Sequence, residues 1–216
     1  MKLEREFFYD EVRDGFYIPG IIKRLWGAEL TILSEVDQIC KKHDISYYIA
    51  GGALIGAVRD GQFIPWDDDI DIMLFRRDFE VFTKVVQDEL PEELSFLSLS
   101  IKEDFYSFFS TVWKGELGGR EKILKKYSEY PYPVTVDIII LDELSGNQKL
   151  EEDRRQRLEA LLSLLIAMNQ GEESQRFQLA LKRATAEFRF SFSKTLPLKG
   201  RRRDLLHSLA CLSRRV

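Results

Sequence analysis

The sequence predicts an α+β fold: a small mixed β-sheet flanked by helices, with a helical C-terminal part. Apolar residues recur at helical spacing from Ile21 to Cys40 and again beyond Leu150. Short segments rich in branched and aromatic residues, Ile45 to Ala50, Ile70 to Leu74 and Val134 to Leu141, read as strands. No internal repeat or low-complexity tract intervenes, and 216 residues with 44% hydrophobic content can bury a sizeable core. The expected organisation is a catalytic core over 1–145, including an N-terminal helix, with 146–216 as a helical, basic extension of the same domain.

The chain is expected to open with helix. From Ile21 to Cys40, positions 22, 25, 32, 36 and 39 share a face with Leu33 beside them, and Lys41, Lys42 and His43 suit the negative end of the helix dipole. Ile45 to Ala50 stops at Gly51-Gly52, a sharp turn into a short helix over Ala53 to Arg59, which Asp60-Gly61 breaks. Pro65 disfavours helix at Ile64, so Ile70 to Leu74 follows as a strand. Asp78 is the expected cap of a helix with apolar positions 79, 82, 86 and 90, ended by Pro91. Leu94 to Lys114 reads as two strands around a turn at Asp104. Pro133 precedes the strand Val134 to Leu141, and Leu150 to Met168 and Phe177 to Phe188 read as two helices.

Net charge is −4, but ten Lys or Arg against two acidic residues from Lys182 onward leave about −12 for residues 1–181. By charge alone the basic end suits a glycan phosphate, a membrane surface or nucleic acid, and equally a solvated helical face. Cys40 and Cys211 lack CxxC spacing, which fits neither a disulfide framework nor a zinc site. The charged start, Met1 to Glu6, does not read as a signal peptide, and Leu161 to Met168 is too short to span a bilayer, so a soluble, cytoplasmic protein is expected. His43 and His207 lack metal-ligand spacing, and GxSxG, P-loop and GxGxxG patterns are absent. Serine hydrolase, Walker ATPase and Rossmann oxidoreductase chemistry therefore find no support.

The chemistry concentrates in Phe63-Ile-Pro-Trp-Asp-Asp-Asp-Ile-Asp71, where four carboxylates crowd among apolar residues. Like charges that are partly buried repel and lose hydration, a cost that a divalent cation would offset. An acidic surface loop before an ordinary strand is the plain alternative. Strand alternation puts Asp69 and Asp71 on one face, with Asp68 on the other and Asp67 on the metal side. Mg²⁺ takes a few carboxylates plus substrate phosphate oxygens, and Asp137, lone among Val136, Ile138, Ile139 and Ile140, is the candidate third carboxylate. Gly51-Gly52 would let a phosphate approach backbone N–H groups at a helix start. Arg59 and Lys114 are candidate phosphate contacts, with surface salt bridges as the alternative for each.

Gly-Ala-Leu-Ile-Gly-Ala-Val-Arg at 52–59 followed by Phe-Ile-Pro-Trp-Asp-Asp-Asp-Ile-Asp at 63–71 resembles the signature of the LicD family, to which the fukutin-related proteins are similar. The likeness extends through Glu11 to Pro19, Lys23 to Trp26, Arg77-Asp78-Phe79 and Val136-Asp137-Ile138, covering about residues 5–145. It implies a nucleotidyltransferase-like fold and a phosphotransferase that moves phosphocholine, or a similar phospho-alcohol, from a CDP-linked donor such as CDP-choline to a cell-surface glycan or glycolipid of the lipopolysaccharide or teichoic acid kind. Asp69, Asp71 and Asp137 match the catalytic, metal-binding positions, with Asp67 alongside. Gly51, Gly52, Arg59, Trp66 and Lys114 complete the expected substrate-binding set. One or two Mg²⁺ ions, or Mn²⁺, are the implied cofactor; nucleic acid is not an expected partner, and peripheral attachment at the inner membrane face is an alternative to a free cytoplasmic state. Position 60 is Asp where relatives usually carry His, and the chain closes on Arg201-Arg202-Arg203 and Arg214-Arg215 where relatives are rich in Tyr and Gly. The alternatives are a nucleotidyltransferase releasing pyrophosphate from an NTP, and a non-catalytic glycan-binding protein on the same fold.

Overall fold

The computed structural model describes residues 2–98, 101, 109–114 and 134–168. The Asp104 turn, the helix expected over 177–188 and the basic tail lie outside the described residues. The chain divides into two compact units, Met1–Ser98 with Phe109–Leu141, and Leu99–Phe108 with Asp142–Val216.

A 3-10 turn (Arg5–Phe8) and a hairpin of β1 (Glu11–Arg13) and β2 (Phe16–Ile18) precede the first helix, where helix alone was expected. The missed signal is Asp14-Gly15: both residues have positive φ, 50° and 79°, which suits a tight hairpin turn. Helix α1 (Gly20–Lys42) then buries Leu25, Ile32, Val36 and Ile39. Its end explains why β3 spans only Tyr48–Ala50 and not Ile45–Ala50. Asp44 takes a left-handed conformation (φ 54°) and the Ile45 N–H bonds to the Cys40 carbonyl at 2.9 Å, so the backbone of Ile45 closes the helix while its side chain enters the core.

Helix α2 starts directly at Gly51 and runs to Arg59, two residues ahead of the expected start, because Gly51 makes the turn itself with φ 57°. Strand β4 (Ile70–Phe75) leads without a loop into α3 (Arg76–Glu89), whose N-cap is Phe75. Asp78 is thus not the cap but a first-turn residue, where its charge still suits the helix dipole. Glu89 at the far end of α3 accepts from His43 Nε2 (2.6 Å) and Lys42 Nζ (2.9 Å), tying the C-terminal ends of α1 and α3 together.

Strands β5 (Leu94–Leu97), β6 (Ser110–Lys114) and β7 (Thr135–Leu141) complete a five-stranded sheet of order β3-β4-β7-β6-β5. Among the described residues only β4 and β7 pair in parallel, which makes the sheet mixed as expected. Alternation divides it cleanly. Ile70, Ile72 and Leu74 of β4, Val136 and Ile138 of β7 and Val112 of β6 are buried and form one core with α1 and α3 residues. The other face carries Asp71, Asp137 and Thr111. In the second unit, α4 (Gln148–Met168) begins where the Asn147 side chain accepts the Lys149 and Leu150 N–H groups at 3.1 and 3.3 Å. Among the described residues, no helix is long and apolar enough to cross a membrane.

Phe82 is fully buried and meets the Phe96 ring edge-on at 5.5 Å. Phe82→Ala is expected to cost about 3–5 kcal/mol of stability, read as a lowered denaturant midpoint with an unchanged m-value.

Candidate active site

The parallel pairing of β4 with β7 sets Asp71 directly beside Asp137, and β6 adds Thr111 on the far side of Asp137. These three share the face opposite the apolar core. Burial, followed by the charges of Asp69, Asp137 and Asp67, pushes the Asp71 carboxyl up to about 6. Asp137 is also raised by burial, against a lowering hydrogen bond from Thr111. Asp69 lies one residue before β4, so alternation does not strictly govern it. Its carboxyl is raised by burial, then by the charges of Asp68 and Asp137.

Asp67 is held by a different device. The Trp26 indole N–H donates to the Asp67 carbonyl at 2.7 Å, and the Trp26 ring stacks on Phe63 with centroids 4.8 Å apart. This fixes the loop, while Asp67 Oδ2 is buried with no hydrogen-bond partner. Burial, then Asp69 and Asp68, raises its carboxyl too.

Gly51 and Gly52 serve these carboxylates before any phosphate. A Cβ on Gly51 would collide with the Asp71 carboxylate, and one on Gly52 with that of Asp67. The two glycines therefore allow the start of α2, with its partial positive charge, to approach both acids.

Helix α1 contributes a residue that sequence reasoning missed. Glu29 is 1% exposed within an otherwise apolar stripe, and its Oε2 lacks a hydrogen-bond partner. Burial, and then Asp69, Asp68 and Asp67, pushes its carboxyl up to about 9. A glutamate at the 25, 29, 32, 36 spacing was the available signal.

The other expected contacts fall elsewhere. Arg59 ends α2, about 12 Å of helix rise from Gly51, and its guanidinium is engaged by the adjacent Asp60 at 2.7 and 2.6 Å. Lys114 alternates with Thr111 and takes the parity of Val112, on the core side of β6. Trp66 is 62% exposed, with Phe16 edge-on at 5.7 Å.

Among the described residues, no three Asp, Glu, His or Cys side chains are gathered tightly enough to enclose a metal ion unaided. Raised carboxylates and two buried, unpartnered carboxylate oxygens fit an oxygen-ligated divalent cation that draws further ligands from a bound phosphate.

Residues 44–129 match the family model described as LicD/FKTN/FKRP, nucleotidyltransferase domain. That stretch is similar to the LicD family. The matched stretch includes β3, the glycine pair, Asp67, Asp69 and Asp71, while Asp137 and Glu29 lie outside it. Lipopolysaccharide cholinephosphotransferase LicD of Haemophilus influenzae is 31% identical over 121 residues, 56% of this chain and 44% of that protein. Uncharacterised proteins of Rickettsia typhi and Rickettsia prowazekii are 34% and 38% identical over 55 and 47 residues, covering 26% and 22% of this chain and 18% of each relative. The chain spans less than half the length of the curated relatives it matches.

The raised Glu29 carboxyl binds a proton more tightly in the folded than in the unfolded chain. Its contribution favours folding below about pH 4.5 and is lost progressively as pH rises towards 9. Glu29→Gln is therefore expected to stabilise the metal-free protein by about 1–3 kcal/mol at pH 8 and to flatten its stability between pH 5 and 8, as read by urea unfolding.

Proposed function

We propose that this protein is a Mg²⁺-dependent phosphotransferase moving phosphocholine, or a similar phospho-alcohol, from a CDP-linked donor to a hydroxyl of a cell-surface glycan, with release of CMP. The observation that carries the reading is the register of Asp71 beside Asp137 on parallel strands, with Asp69 one residue ahead of β4. Such a group of mutually repelling, partly buried carboxylates destabilises a protein that does not use it. The cholinephosphotransferase named among the relatives supplies the substrate class.

Asp69 and Asp71 would hold the cation, with Asp67 next to them and Asp137 completing the set. A divalent cation bound there supplies charge neutralisation of the donor diphosphate. The acceptor hydroxyl oxygen attacks the phosphorus bearing the alcohol, the bond from that phosphorus to the bridging oxygen breaks, and CMP departs with that oxygen. Asp137 orients the hydroxyl and takes its proton. The start of α2 supports the donor side through its dipole. Arg59, occupied by Asp60, and Lys114, on the core side, have no part in this scheme. A cytoplasmic setting, with a lipid-linked acceptor presented at the inner face of the membrane, suits a nucleotide-linked donor.

The test follows products from a panel of CDP-alcohols and NTPs with Mg²⁺ and a glycan acceptor. CMP release that falls about 100-fold or more in Asp69→Ala and Asp71→Ala, with far-UV dichroism unchanged, is the expected result. Pyrophosphate release from an NTP would replace this reading by nucleotidyl transfer, and full activity in both variants would remove the metal assignment.

A further inference from the structure

Glu29 is buried on α1, one turn after Trp26, the residue that holds the aspartate loop. A buried carboxylate is normally matched by a cation or by donors to both oxygens, because its lost hydration must be offset. Glu29 has neither arrangement at Oε2, which is buried and unpartnered. The charges that bear on it most are those of Asp69, Asp68 and Asp67, all of its own sign. The buried cation of α1, Lys23, is committed to Glu11 at 2.6 Å. An ordinary structural role explains little, since an apolar residue would continue the Leu25, Ile32, Val36 stripe at less cost. The second orphaned oxygen, Asp67 Oδ2, belongs to the same loop, which Trp26, three residues before Glu29 on α1, grips through its carbonyl. Two buried acceptors without donors, carried by elements tied together, mark a place built for something positively charged.

We infer that Glu29 belongs to the divalent-cation site, its carboxylate joining the Asp67 to Asp71 cluster as a cation-supporting oxygen group supplied from the first helix. The inference rests on the metal reading of the aspartates given above and extends it to a residue outside the family-matched stretch. It makes α1 part of the site, so that cation binding draws helix and loop together.

The experiment titrates the full chain with Mn²⁺ alone, counting free Mn²⁺ by electron paramagnetic resonance and recording the shift in thermal midpoint on metal addition. Wild type, Asp71→Asn, Glu29→Gln, Glu29→Asp and the control Glu35→Gln are compared. The expected result is Mn²⁺ binding to wild type and Glu35→Gln, with affinity at least about tenfold weaker and a smaller thermal shift in both Glu29 variants. Wild-type affinity in either Glu29 variant, alongside loss in Asp71→Asn, overturns this inference and leaves the metal reading standing. Failure of wild type to bind Mn²⁺, or wild-type binding by Asp71→Asn, overturns the metal reading and this inference with it. Glu29→Asp keeps the charge while shortening the reach, so it answers the question if Glu29→Gln does not fold.

Discussion

Asp71 and Asp137 stand side by side because their neighbours in the chain are buried on the other side of the sheet. Ile70 and Ile72 flank one acid, Val136 and Ile138 the other, and all four sit in the core against α1 and α3. A slip of one residue between β4 and β7 would turn those side chains outward and bury the carboxylates. The apolar ladder therefore sets the register, and the register brings the acids together. Hydrophobic burial on one face is what holds electrostatic repulsion in place on the other.

The surroundings of the acids share that burden. Thr111, whose hydroxyl donates to the Val136 carbonyl at 3.3 Å, offsets part of the upward shift at Asp137, and the start of α2 comes close to Asp71 and Asp67 only because Gly51 and Gly52 lack side chains. Trp26 pins the loop through a carbonyl, leaving the Asp67 carboxylate unmatched. Each device lowers the cost of crowding without neutralising the charge. The carboxyls of Asp67, Asp69, Asp71, Asp137 and Glu29 all remain raised, first by burial and then, except at Asp137, by the charges of neighbouring aspartates.

The two cations chosen from sequence illustrate how local chemistry and topology compete. Arg59 finds Asp60, its immediate neighbour, at the end of α2 away from the glycine pair. Lys114 lies three residues from Thr111, an odd step along a strand, and so takes the other parity. Nothing in either side chain's chemistry foretold this. A single adjacent carboxylate decided one case, and strand parity relative to a partner 25 residues or so away decided the other.

Periodicity and turn chemistry made much of the fold legible: α1, α3, β4 and β7 come within a few residues of their expected limits, since each buries a continuous stripe of its own. The misses lie where backbone groups serve two neighbours, as at Ile45 and Asp78, or where a short hairpin buries little, as at Asp14-Gly15. For the site, the sequence by itself determined which carboxylates are anomalous, because Asp71 and Asp137 are charged residues in apolar strand patterns and Asp67 to Asp69 crowd like charge just ahead of one. Only the tertiary structure decided that Asp71 and Asp137 are register partners, that the glycines face carboxylates, and that Glu29 on α1 is buried with an unpartnered oxygen. Spacing along one element is written locally, whereas contact between elements depends on the packing that brings them together.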